Sequence, residues 1–272
     1  MAKRTISAFV AIALLALLVW ADVFTKLPIV NSLLGIMLVV ALYEVYKPFG
    51  FMKKIPLLVV GAVFGLLVFN FDATGSFMMM QFIVMFAVVS MFVVAVICHK
   101  TVNLSDICTL FFMTAYVSFG MLHIRLLYKG DFGLVMILTA LIAAFLTDTG
   151  AYFSGYFFGK HKLIPEVSPK KTVEGAIGGV VVAMLSMVAY SWILTFFGIK
   201  TNILNIVIIG GVASVMSQFG DLSASLVKRS LGIKDYGDIM PGHGGVLDRI
   251  DSLIFTAPVV FYLDRLLTII IK

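Results

Sequence analysis

Between Ser225 and Asp251 the chain reads SLVKRSLGIKDYGDIMPGHGGVLDRID, 27 residues that hold eight formal charges, four of each sign, one histidine and six glycines or prolines. The carboxylates Asp235, Asp238, Asp248 and Asp251 are hard oxygen ligands of the kind a divalent cation takes. The cations Lys228, Arg229, Lys234 and Arg249 are charge-assisted donors of the kind phosphate takes. Glycines 242, 244 and 245 surround His243 and let a backbone wrap closely, which suits N–H groups cradling phosphate, though such a pattern alone is common. Asp248 and Asp251, three apart at the expected start of a helix, share a face and could hold a cation together. For Asp251 an ordinary dipole-favourable acid at a helix N-terminus is an equal reading. Just upstream, Ser214, Ser217 or Gln218, Asp221 and Ser225 recur at steps of three and four, so they form one polar stripe on an otherwise apolar helix. A carboxylate there belongs to a bundle interior or a wet cavity unless it is simply solvated at the interface.

A second polar stretch starts where a helix ends in Asp148-Thr-Gly-Ala-Tyr152 and continues through Ser168-Pro-Lys-Lys-Thr-Val-Glu-Gly175. Asp148 and Tyr152 are one helical turn apart and share a face. Lys170 and Lys171 precede a helix with Glu174 in its first turn. They read either as phosphate ligands or as charges that orient the chain in a membrane. Gly175 and Gly179 form a small-xxx-small pair, better explained by helix packing than by a ligand. Carboxylates for a metal, clustered cations and glycine-rich backbone at a membrane surface suit phosphoryl or nucleotidyl transfer to a lipid.

The elements that position these groups are membrane helices. The chain of 272 residues is 61% hydrophobic and 12% charged, with mean hydropathy +1.11, more apolar surface than one soluble core of this length could hide. Nine apolar stretches approach the roughly 20 residues needed to cross a hydrocarbon core. They run near Ile6 to Trp20, Pro28 to Tyr43, Ile55 to Phe71, Phe77 to Ile97, Ile107 to Leu127, Phe132 to Phe153, Ala176 to Phe197, Ile203 to Ala224 and Ile250 to Ile271. The sequence thus predicts an all-α polytopic membrane helix bundle of about nine transmembrane helices. The first stretch lacks a small-residue cleavage site and reads as a retained helix, not a signal peptide. Cys98 and Cys108 have no metal-ligand spacing and read as free thiols.

With the N-terminus in the cytoplasm, about 14 lysines and arginines fall on the cytoplasmic side and 5 on the other. This places both polar stretches in the cytoplasm, at the inner (plasma) membrane. The net charge of +6 suits an anionic membrane surface or an anionic substrate. No repeat or linker divides the chain, but its halves differ: residues 1–130 read as scaffold helices nearly free of polar groups, residues 131–272 as catalytic helices with two cytoplasmic loops.

The stretch from Ser225 to Asp251 closely resembles the signature of the phosphatidate cytidylyltransferases, also called CDP-diacylglycerol synthases. That pattern runs S-x-hydrophobic-K-R, four residues, K-D, then H-G-G, D-R and D. It is met by Ser225, Lys228, Arg229, Lys234, Asp235, His243, Gly244, Gly245, Asp248, Arg249 and Asp251. The family's upstream block, D-x-x-A-Y and S-P-K-K-T-x-E-G, appears as Asp148, Tyr152 and Ser168 to Gly175. The resemblance covers the C-terminal half; the N-terminal helices match only in hydropathy.

The resemblance implies an enzyme that joins CTP and phosphatidate into CDP-diacylglycerol and pyrophosphate with magnesium, leaving a second metal or a monovalent ion open. Asp221 and Asp248 are then the main metal ligands, with Asp251 and Asp148 as lesser candidates. Lys170, Lys171, Lys228, Arg229 and Arg249 hold phosphate, and Ser225, Lys234, Gly244, Gly245, Asp148 and Tyr152 complete the substrate site. His243 can donate a hydrogen bond to phosphate, but a phosphate monoester is already a nucleophile and needs no general base. No nucleic-acid partner is expected, and a homodimer is compatible with the reading. Two rivals remain: a CTP-dependent polyprenol or phytol kinase, which the complete signature disfavours, and an ion-coupled transporter, for which no inverted repeat speaks.

Overall fold

A computed structural model describes residues 28–72, 75–238 and 244–271, together with residues 21, 22 and 25. Among the described residues eight α-helices follow one another: α1 (Ile29–Tyr46), α2 (Ile55–Phe69), α3 (Phe77–Ile97), α4 (Leu104–Lys129), α5 (Gly133–Phe158), α6 (Val173–Phe196), α7 (Ile203–Ser230) and α8 (Leu247–Leu267). Between α5 and α6 lies an antiparallel hairpin of β1 (Lys162–Ile164) and β2 (Ser168–Thr172), pairing Lys162 with Thr172 and Ile164 with Ser168. This hairpin is the departure from an all-α expectation.

The count of nine crossings is not reached among the described residues. Six helices, α1 and α3 to α7, are long and apolar enough to span a membrane. The other two fall short for physical reasons. With 15 residues, α2 rises about 22 Å, less than a hydrocarbon core of about 30 Å. Helix α8 carries Asp248, Arg249, Asp251, Asp264 and Arg265 at its two ends. The expected segment from Ile6 to Trp20 lies outside the described residues.

The chain divides into two compact units, one of Met1–Met121 with Asp235–Arg249, the other of Leu122–Lys234 with Ile250–Lys272. In the first unit, glycines let helices close in. A Cβ at Gly61 would meet Leu110 and the Tyr46 hydroxyl at 2.8 Å, and one at Gly65 would meet Ser118 Oγ at 2.8 Å and Leu42 at 2.9 Å. The small residues on one face of α2 therefore set its approach to α1 and α4. Tyr46 Oη lies 2.6 Å from Thr114 Oγ1, which donates on to Leu110 O at 2.6 Å, so these two buried hydroxyls are satisfied. The start of α4 is fixed by a reciprocal cap, Asn103 N to Asp106 Oδ2 and Asp106 N to Asn103 Oδ1, both 2.9 Å, and Lys54 pairs with Asp106 at 2.5 Å. Phe77, Met78, Met79, Phe82, Met85 and Phe86 of α3 are each more than half exposed, a surface suited to acyl chains.

In the second unit α5 and α6 pack backbone to backbone. A Cβ at Gly175 would lie 2.7 Å from Ala151 O, and one at Gly179 would lie 2.8 Å from Thr147 O, so this pair is a helix-packing device, as expected. Thr172 ends β2 and caps α6, its hydroxyl accepting from Gly175 N at 3.1 Å. Glu174 reaches back to the hairpin, where His161 Nδ1 lies 2.6 Å from its Oε1. Asn202 caps α7 through Asn205 N at 3.2 Å, and the chain's end returns there, with Ile271 N donating to Lys200 O at 2.9 Å.

Candidate active site

The polar stripe of α7 is turned toward protein in the second unit. Thr147 of α5 donates to Ser214 Oγ at 2.6 Å, and Gln218 Nε2 donates to Ala176 O of α6 at 3.1 Å. One turn on, Asp221 pairs with Lys171 of β2, both side chains only partly exposed. Ser217, on the same face, is fully buried, and its hydroxyl meets no hydrogen-bond partner among the described residues. A polar row in a membrane helix costs least in this arrangement, where other helices and a strand supply its partners.

Neighbouring residues of a strand point to opposite faces, and this separates the two adjacent lysines. Lys171 turns inward to Asp221, whereas Lys170 is exposed. Asp148 of α5 lies within electrostatic reach of both, repelled by Asp221 and attracted by Lys171. Two carboxylates thus gather around one ammonium. Tyr152, one turn beyond Asp148, is exposed and its ring stacks on Tyr156, centroids 6.4 Å apart. Lys228 and Arg229 close the last turn of α7, where cations favour the helix dipole, Lys228 half-buried and Arg229 exposed. Ser225, a turn earlier, is half-buried.

Helix α8 meets α7 beside Asp221. A Cβ on Gly220 would lie 2.7 Å from Asp251 O and 3.0 Å from Ser252 Cα, so the backbones touch at that point. Asp251 is buried, and its Oδ1 accepts from Ser252 N at 2.7 Å.

Asp235, Gly244, Gly245, Asp248 and Arg249 belong to the first unit, and Lys234 ends the second unit's Leu122–Lys234 stretch. Asp248 is buried, and its Oδ2 accepts from Tyr236 N at 2.9 Å and Gly245 N at 3.0 Å. Gly244 sits at φ 83°, a left-handed conformation that favours glycine, and a Cβ there would lie 3.1 Å from Asp248 Oδ2. The glycine pair is thereby explained as a tight turn folded onto Asp248, with the Gly245 N–H committed to that carboxylate. Lys234, Asp235 and Arg249 are exposed. His243 lies outside the described residues.

One residue that sequence reasoning passed over enters here. Glu44 of α1 is 1% exposed and accepts from Val246 N through Oε1 and from Leu247 N through Oε2, each at 2.9 Å. Its helix was expected to be apolar scaffold. The signal was present: Glu44 is the sole charged residue in Ile29–Tyr46.

Among the described residues no group of three or more histidine, cysteine, aspartate or glutamate side chains gathers around one point. The donor chemistry nonetheless fits a hard cation, being carboxylate oxygen, and the Lys171 ammonium on Asp221 marks a place that accepts positive charge. Two clefts of about 440 and 240 Å³ lie on apolar faces of the first unit and contain none of these residues.

The sequence pattern of the cytidylyltransferase family matches residues 2–267 of this chain. A Bacillus subtilis protein called phosphatidate cytidylyltransferase is 33% identical over 258 residues, covering 89% of this chain and 93% of its own. Proteins of the same name are 42% identical over 146 residues in Staphylococcus haemolyticus and 44% identical over 147 in Staphylococcus saprophyticus. These two alignments each span 54% of both chains, about half the length of the staphylococcal relatives.

Proposed function

The chain belongs to the cytidylyltransferase family, and from that premise we propose that it is an integral membrane phosphatidate cytidylyltransferase, making CDP-diacylglycerol and pyrophosphate from CTP and phosphatidate. The observation that carries the reading is similarity to a protein of that name across nearly the whole of both chains, with the charged signature intact. The six apolar helices agree with a lipid substrate that keeps its acyl chains in the bilayer. CTP is water-soluble, so the signature residues face the cytoplasm at the plasma membrane, with the N-terminus on the same side.

In the reaction a phosphate oxygen of phosphatidate forms a bond to the α-phosphorus of CTP. The bond from that phosphorus to the bridging oxygen breaks, and pyrophosphate departs with the electron pair. Two anions must meet, so charge neutralisation and alignment are the main demands on the protein. Lys171, Lys228, Arg229 and Arg249 supply cations to the phosphates, with Lys170 and Lys234 at the exposed margin. Asp221, Asp248 and Asp251 would hold magnesium, which when bound neutralises triphosphate and polarises the α-phosphoryl group. Asp148 adds to the negative charge that holds Lys171 in place, and Tyr152 offers an aromatic face and a hydroxyl to substrate. His243 donates a hydrogen bond to phosphate.

The test is product identity. Purified protein supplied with magnesium, CTP and phosphatidate should release pyrophosphate, read by a pyrophosphatase-coupled assay, only when both substrates are present. Release of CDP in its place would assign the chain to the lipid kinases.

A further inference from the structure

We propose that Glu44 is a positioning residue for Asp248: an acid on α1 that caps the start of α8 from another helix and so fixes the signature turn. The first N–H groups of a helix have no partner within it. Here three in succession are taken, Gly245 N by Asp248 Oδ2 at 3.0 Å, and Val246 N and Leu247 N by the two oxygens of Glu44 at 2.9 Å each. Asp248 also accepts from Tyr236 N at 2.9 Å, so its carboxylate holds both Tyr236 and Gly245 while Glu44 holds the next two N–H groups.

Packing says the same. A Cβ on Gly237 would lie 2.6 Å from Glu44 Oε1 and one on Gly245 2.6 Å from Glu44 Oε2, so both glycines close directly on the carboxylate. An acid buried to 1% exposure beneath a helix N-terminus is stabilised by that dipole and by its two N–H donors. A carboxamide cannot replace it, because it offers one acceptor oxygen and would turn its NH2 toward the second N–H. Aspartate is one methylene too short to reach both. Glu44 touches neither substrate nor reacting atoms; it acts through the placement of Asp248.

The inference rests on the proposed function only in giving Asp248 a role in the reaction, and its test separates the two. Hydrogen exchange is measured on the full-length protein in detergent for wild type, Glu44→Gln and Gly237→Ala. The last leaves Glu44 in place but drives a methyl group into it, and serves where Glu44→Gln folds poorly. Exchange at Val246 and Leu247 should quicken at least about tenfold in both variants, while the α2–α4 contact around Thr114 stays protected. In parallel, kcat should fall about 10- to 100-fold, the usual cost of losing a residue that orients a ligand. The magnesium concentration giving half-maximal rate should rise, while KM for phosphatidate stays near wild type. Unchanged exchange at 246–247, or a loss of protection spread evenly over the chain with an unaltered magnesium dependence, overturns the proposal. Faster local exchange in a protein that makes no CDP-diacylglycerol would keep the clamp and refute the function.

Discussion

Gly220→Ala adds a single methyl group where α7 and α8 touch, one residue before Asp221. The new Cβ would lie 2.7 Å from Asp251 O, 3.0 Å from Ser252 Cα and 3.2 Å from the Phe255 ring. Two of those three neighbours are backbone and cannot rotate away, so the helices must part by about half an ångström or more to restore ordinary contact distances. Overpacking of this size costs about 1–3 kcal/mol. Replacing glycine by alanine inside a helix returns about 1 kcal/mol of propensity, so the net loss of stability is about 0–2 kcal/mol. Function is less tolerant. A productive site holds its groups to about 0.5 Å, and misplacement by about 1 Å can cost 100-fold. The shift falls between Asp221 and Asp251, so kcat/KM for CTP should drop about 10- to 100-fold in a protein that still folds. Gly211→Ala on the same helix is the control, because the three atoms nearest its Cβ would all belong to the flexible Met184 side chain, the first at 3.3 Å. Steady-state kinetics beside thermal unfolding in one detergent reads both quantities. Gly220→Ala at wild-type activity, or Gly211→Ala impaired as severely, would refute the reasoning.

Asp221→Asn and Asp248→Asn keep size and remove an anionic ligand, so turnover should fall by orders of magnitude while membrane insertion and yield hold; near-normal turnover at ordinary magnesium would remove that residue from the site. Lys171→Met should abolish most activity and Lys170→Met little, since only the first turns toward Asp221; equal effects would mean that the strand's two faces do not separate them. Lys228→Gln and Arg229→Gln should raise KM for CTP or lower kcat, with Lys53→Gln as the neutral control. Lys54 is unsuited to that purpose, because its pairing with Asp106 makes it part of the fold.

What the sequence made legible follows from what each feature depends on. The polar stripe of α7 and the Gly175/Gly179 contact rest on helical periodicity, which is local, and both appear where expected. Helix positions were also legible, since apolar length is local, but the ends were not: α5 runs on to Phe158 and α7 to Ser230, because polar residues on a helix end can be satisfied by water or by neighbours. The hairpin was missed because its strands are short and lack alternating apolar residues, the signal by which strands are read. Glu44 was missed for another reason. Its partners, Val246 and Leu247, are some two hundred residues away and bind through backbone N–H groups, which carry no sequence signal. The pairing of Lys171 rather than Lys170 with Asp221 likewise needed the strand, whose alternation decides which lysine faces inward.

The central claim, transfer of the cytidylyl group to the lipid, is tested most directly by following the phosphorus atoms of CTP. Purified protein is incubated with magnesium, phosphatidate and CTP labelled at either the α- or the γ-phosphate, and the lipid is extracted and counted. The account predicts α-label in the lipid and γ-label in released pyrophosphate. Label from the γ-phosphate in the lipid would contradict it in favour of a kinase, and label from neither position would contradict it in favour of a protein that performs no chemistry on CTP.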